Sequence, residues 1–157
     1  MDKEQIRQAV QGIVDQMGCF IVDITLSQDN DIEIVLEKEE GEIDWDHCAA
    51  VDRKVHETFN QDEEDYSLTV SSAGLDRPFK VLRQYLKAIG SNVDVKFRGG
   101  RRLVARLTAA TDEDITLAYT ALEVPEGSRK KVKVEHEETF PLAQINSVTP
   151  YIDVKGL

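Results

Sequence analysis

Val70-Ser71-Ser72-Ala73-Gly74-Leu75-Asp76-Arg77-Pro78-Phe79-Lys80 is the run on which the reading of this chain turns. Leu68 and Val70 close a strand, small residues break it, and a helix is expected to open near Pro78. Gly74 is free to take a positive φ. Asp76 has the side chain of an N-cap, whose carboxylate accepts hydrogen bonds from exposed helix N–H groups. Pro78 has no N–H to lose in a first helical turn. On that reading Asp76 caps the third helix and Arg77 faces outward. Turn formation alone does not ask for two serines ahead of the glycine, or for arginine between Asp76 and Pro78.

Upstream of this run the periodicity alternates between helix and strand. Ile6, Ala9, Val10, Ile13, Val14 and Met17 fall on one helical stripe, and Gly18 ends it as a left-handed C-terminal residue. Phe20, Val22, Ile24 and Leu26 then alternate with Asp23 and Thr25, which predicts a half-buried strand with those four on one side. After the polar turn Gln28 to Asp31, Ile32, Ile34 and Leu36 alternate again, so the two strands form a hairpin. Asp44 is placed to cap a second helix, with Cys48, Val51, Val55 and Phe59 as its apolar stripe. The third helix carries Val81, Leu82, Tyr85, Leu86 and Ile89 and stops at Gly90. Two helices on one face of a three-stranded sheet bury these stripes.

Beyond Gly90 the pattern becomes short strands. Val93, Val95 and Phe97 alternate, Gly99-Gly100 makes a tight hairpin turn, and Leu103, Ala105 and Leu107 return. Ile115, Leu117 and Tyr119 form another strand. Val132 and Val134 follow the loop from Pro125 to Arg129, and a last strand runs from Val148 to Ile152. A single turn at Leu142 to Ile145 precedes that strand. The spacing predicts a small barrel. The expected class is therefore α+β, with an N-terminal α/β domain over 1–89 and a small SH3-like β-barrel over 90–157.

The junction resembles the signature of the ribosome maturation factor RimP family, Ser-Ser-Pro-Gly-Leu-Asp-Arg-Pro. Ala73 stands where the signature has its first proline; Gly74, Leu75, Asp76, Arg77 and Pro78 match it. The order of an α/β domain followed by an SH3-like barrel is similar to that family too, so the resemblance covers nearly the whole chain. The segment from Thr120 to Glu138 is longer and more charged than the family usually has. The resemblance implies a cytoplasmic, non-catalytic factor that binds the immature 30S ribosomal subunit and promotes its assembly. The partners it implies are 16S rRNA and a basic small-subunit ribosomal protein, without cofactor, metal, membrane or small-molecule substrate. Ser71, Ser72, Gly74, Asp76 and Arg77 become candidate binding residues at the junction.

Charge separates along the 157 residues. The formal net charge is −11. Residues 1–89 hold 9 basic and 20 acidic side chains, whereas residues 90–157 hold 10 of each. The bases of the second part cluster as Arg98, Arg101, Arg102 and Arg106, then Arg129, Lys130, Lys131 and Lys133. Phosphate binding depends on where cations sit more than on net charge. Arg98, Arg101 and Arg102 flank the Gly99-Gly100 turn, so a hairpin tip would project three planar forks suited to phosphate. The bland alternative is that both charge sets are solvated faces that keep the protein soluble.

Residue types that carry chemistry are sparse. There is no Gly-rich phosphate loop, no Gly-x-Ser-x-Gly elbow and no Cys-x-x-Cys pair. His47 and His56 lie on opposite faces of the second helix and cannot share a metal. Asp52 and His56 are one turn apart, a spacing met on any solvated helix face. No histidine neighbours Ser71 or Ser72 in sequence, and serine hydroxyls capping a turn account for them. Cys19 and Cys48 read as reduced core residues. Trp45, just after the Asp44 cap, either packs at the helix entrance or sits on a partner surface. Tyr119 and Tyr151 read as barrel core or rim. A free-standing RNA-binding barrel and a hydrolase or nuclease using Asp76 with the helix-two acids are the alternatives.

Overall fold

A computed structural model describes residues 1–74, 77–127 and 129–151. The chain divides into two compact units, Met1–Gly74 and Leu75–Leu157.

In the first unit, α1 (Lys3–Gln16) opens on a capping box. The Asp2 carboxylate accepts the Gln5 N–H at 2.8 Å while Gln5 Oε1 accepts the Asp2 N–H at 3.0 Å. Ile6, Val10 and Val14 are fully buried along one face. The strands β1 (Cys19–Leu26) and β2 (Asp31–Lys38) pair antiparallel, but the register slips between Ile21 and Asp23. The simple alternation expected for β1 is therefore wrong. Cys19 and Ile21 face the helices ahead of the slip and Ile24 faces them after it, whereas Phe20 and Val22 are not part of that core. An extra residue in a strand reverses which face the following side chains occupy.

Asp44 caps α2 (Trp45–Thr58) as its sequence suggests, its carboxylate accepting the His47 N–H at 3.1 Å. Val51 and Val55 fill the core, but Cys48 does not join them. It is partly exposed, while Cys19 is buried. A helix advances about 100° per residue, which puts Cys48 at the edge of the Val51–Val55 stripe. The chain then returns as β3 (Ser67–Ser72), parallel to β2, so the sheet order is β1-β2-β3. Tyr66 enters the core beside β3 and its hydroxyl donates to the Phe59 carbonyl at 2.7 Å.

The second unit begins earlier than Gly90. Helix α3 (Leu82–Ala88) is shorter than its apolar stripe suggests and starts well after Pro78. Two contacts explain the delay. The Phe79 N–H donates to the Val148 carbonyl at 2.8 Å, and the Phe79 ring meets Tyr85 edge-on at 5.1 Å. Tyr85 belongs to the barrel core, so α3 belongs to the second unit and the boundary falls after Gly74 instead of after Ile89. Asp76 lies outside the described residues. The helix assigned to it by sequence has Val81 as its N-cap, and the capping oxygen comes from inside the helix. Buried Gln84 Oε1 accepts the N–H groups of Lys80 at 2.6 Å and Val81 at 3.1 Å.

The strands that follow are β4 (Asn92–Phe97), β5 (Arg102–Ala110), β6 (Asp114–Glu123), β7 (Val132–Pro141) and β8 (Ile145–Pro150), with a 3-10 turn at Leu142–Gln144. Their order is β7-β6-β5-β4-β8. Four strands meander, and the fifth, delivered by the 3-10 turn, pairs beside the first. That is the layout of a small SH3-like barrel, and it makes the chain α+β. Val93, Val95, Leu107, Ile115 and Leu117 are fully buried in its core.

Candidate nucleic-acid interface

The change of boundary changes the charge balance. Residues 1–74 hold 5 basic and 19 acidic side chains, and residues 75–157 hold 14 basic and 11 acidic. The barrel unit is thus basic, where a boundary after Ile89 leaves it neutral. Arg77, Lys80, Arg83 and Lys87, set against the single acid Asp76, account for the difference, because this stretch of sequence goes with the second unit.

The cations nearest the Gly99-Gly100 turn are not equivalent. Both glycines have φ near 100° (101° and 100°), a conformation that resists side chains, so the hairpin tip is tightly specified. The Arg98 N–H donates to the Gln144 carbonyl at 2.9 Å, which holds the start of the turn against the 3-10 segment. Arg101 lies over the Phe97 ring, its guanidinium carbon 5.3 Å from the ring centre. Arg102, by contrast, is turned back across β4. Its Nε and Nη2 donate to the two carboxylate oxygens of Asp94 at 2.9 and 2.7 Å. The expected tip of three projecting cations is therefore a tip of two, with the third fork already occupied by a carboxylate.

The bidentate pair has a pH signature. The hydrogen bonds from Arg102 hold the Asp94 carboxyl below the ordinary carboxylate range, against the opposing effect of burial. A carboxyl with a depressed folded value contributes stability that is fully present above its unfolded pKa of about 3.9 and is lost as pH falls through the lower folded value. Arg102→Ala should raise the Asp94 titration midpoint toward the ordinary range, and the variant should differ from the parent in stability only above that acid window. A carboxyl-carbon NMR titration of Asp94 checks it; an unmoved midpoint would show that the pair is not populated in solution. Because Arg102 is well exposed, solvent screens the pair and the stability at stake is small.

A second cationic site lies on an arm of the barrel. The β6–β7 ladder runs from Asp114↔Pro141 to Glu123↔Val132, but β5 accompanies β6 only from Ile115 to Ala118. From Tyr119↔His136 onward the two strands stand as a ribbon, roughly 14 Å long at the usual rise per residue. The ribbon is braced by a stack of His136 on Tyr119, ring centres 5.2 Å apart, and by His136 Nε2 at 2.7 Å from Glu123 Oε1. Arg129, Lys130, Lys131 and Lys133 are exposed at its end, beside exposed Leu122, Val124 and Val132. Within the long charged segment from Thr120 to Glu138, the described residues up to His136 thus form the stem and end of this ribbon, and Glu137 and Glu138 lie where β5 joins the ladder.

The junction residues occupy plain positions. Ser71 and Ser72 end β3, and Gly74 has the positive φ its sequence context suggests, 71°. Ser71 Oγ is the one buried side-chain nitrogen or oxygen without a hydrogen-bond partner among the described residues. Arg77 is exposed. The histidines are engaged separately. His47 Nδ1 accepts the Asp44 N–H at 3.0 Å, and His56 stacks on Tyr66 with Nδ1 3.0 Å from its hydroxyl. Among the described residues no three His, Cys, Asp or Glu side chains come together as a metal-binding group, and no helix is long and apolar enough to cross a membrane.

These features define a class: a two-unit α+β protein in which an acidic α/β unit precedes a basic SH3-like barrel. Residues 9–76 match the family model described as the RimP N-terminal domain. The chain is 31% identical over 152 residues to the ribosome maturation factor RimP of Porphyromonas gingivalis, covering 97% of this chain and 99% of that protein. It is 29% identical over 144 residues to the protein of that name from Flavobacterium psychrophilum, covering 91% of this chain and 92% of the relative. It is 31% identical over 146 residues to that of Christiangramia forsetii, covering 92% and 94%. The chain belongs to the RimP family of ribosome maturation factors.

Proposed function

We propose that this protein binds the immature 30S ribosomal subunit in the cytoplasm and promotes its maturation without catalysing a reaction. The observation that carries the reading is the division of charge between the two units. The basic loops and ribbon of the barrel suit the phosphate backbone of 16S rRNA, and the acidic unit suits a basic small-subunit ribosomal protein. Family membership supports the ribosomal setting. Arg98 and Arg101 at the tight turn, with Lys131 and Lys133 on the ribbon, hold the RNA. Ser71, Ser72, Gly74, Asp76 and Arg77 are the binding residues of this reading at the junction.

An assembly factor must bind the immature particle more tightly than the mature one, since a ligand with equal affinity for two states shifts neither. Sedimentation of cell extract on a sucrose gradient tests the reading. Migration with 30S and not with 70S particles is expected, and absence from both overturns it. Purified protein is also expected to leave rRNA and nucleotides uncut; turnover abolished by a single carboxylate substitution would overturn the non-catalytic reading.

A further inference from the structure

Two anomalies of the acidic unit meet at one place. The first is Trp45, the sole tryptophan, 80% exposed on the first turn of α2. The second is the outer edge of β3, with which no strand pairs among the described residues. Proteins normally blunt such an edge with charges, proline or a bulge. The opposite edge strand, β1, carries both Asp23 and a bulge. Strand β3, Ser67-Leu68-Thr69-Val70-Ser71-Ser72, has no charge and no proline, and its register with β2 is unbroken from Ser67 to Ser72. In a chain that is 31% charged, an uncharged, regular edge is conspicuous.

The two features share a groove of about 580 Å³ between α2 and β3, lined among others by Trp45, Asp52, Arg53, His56 and Val70. An extended segment laid along β3 would satisfy its open backbone groups, and every second side chain would point into the groove beside Trp45. The occupant follows from charge. With 19 acids against 5 bases in residues 1–74, an RNA strand or a second copy of the same edge would meet like charge. Cationic side chains along such a segment would instead find the Trp45 ring face and, two helical turns on, the Asp52 carboxylate, whose Oδ1 lies 3.4 Å from His56 Nε2, with Arg53 as the opposing lysine or arginine cation among these lining residues.

We infer that the β3 edge and Trp45 form a docking site for an extended, arginine- or lysine-rich polypeptide segment, which adds to the sheet as a fourth strand. The inference deepens the ribosomal reading and rests on it only for the identity of the natural partner.

The test uses the full chain and a labelled synthetic peptide of alternating arginine and valine. Saturable binding should shift the Trp45 emission and slow hydrogen exchange at β3 amides. Trp45→Ala, at an exposed position, and Asp52→Lys should each weaken binding by roughly tenfold with unchanged melting temperature. Three outcomes overturn the inference: binding that leaves β3 exchange unchanged, equal binding of a glutamate–valine peptide, or self-association of the free protein that protects the same amides. No ribosomal particle is present in this assay, so its failure leaves the 30S reading standing. Failure of co-sedimentation likewise leaves the peptide measurement intact.

Discussion

Gln84→Ala is expected to lower the melting temperature of the barrel unit by on the order of 10 °C. Gln84 is the one buried polar side chain among the described residues, and its Oε1 serves two N–H groups at the start of α3. Removing it takes this acceptor from both N–H groups and leaves space where a buried side chain stood, for a combined cost of about 2–3 kcal/mol. Two further variants separate capping from packing. Gln84→Met fills the volume without an acceptor and should remain destabilised, whereas Gln84→Glu keeps the acceptor and should recover part of the loss at neutral pH. A methionine variant that melts like the parent would show that the cap contributes nothing. The effect should be confined to the barrel unit, which amide exchange can resolve from the acidic unit.

Replacing Arg98, Arg101, Lys131 and Lys133 together with alanine is expected to flatten the plot of log affinity for immature 30S particles against log salt by roughly 3, at 0.7 to 0.9 for each phosphate no longer neutralised. All four are surface cations, so the fold should survive the change. Arg102→Ala should reduce the slope far less, because that guanidinium is already paired with Asp94. Neutralising the acidic loops, Glu39 to Glu42 and Asp62 to Asp65, should act oppositely. It should weaken capture of a basic ribosomal protein and leave the RNA slope unchanged or slightly strengthen RNA binding. An unchanged slope for the four-cation variant would remove both the turn and the ribbon from the RNA interface. Unchanged protein capture by the acid variant would remove the acidic loops from the surface that binds the ribosomal protein.

Local patterns are legible where the information is local. The stripe Ile6, Val10, Val14, the Asp44 cap, the Gly99-Gly100 turn and the 3-10 turn before the last strand each depend on a few adjacent residues. So does the junction signature, which together with the order of elements is enough to suggest the family. Sequence and structure part where a distant contact overrides the local pattern. The bulge in β1 moves Phe20 and Val22 off the helix-facing core, and nothing within β1 announces it, since it is a property of pairing with β2. Pro78 is a good first-turn residue, yet α3 starts later because Phe79 is held by Val148, far along the chain. The cap comes from Gln84 because only a folded helix places that amide over its own N-terminus.

The candidate site divides the same way. The sequence by itself determined that bases cluster near two loops of the second half and that acids dominate the first, because charge is carried residue by residue. Tertiary structure alone decided which of those charges are available. Register opposes Arg102 to Lys96 and leaves its fork to reach Asp94, and it carries β6 and β7 past the end of β5, so the charged segment becomes a ribbon. Packing gave α3 and its cations to the barrel, and it left β3 as an edge beside Trp45. Composition names the charges, whereas partners, edges and exposure are relations between residues distant in the chain, and only the folded chain supplies them.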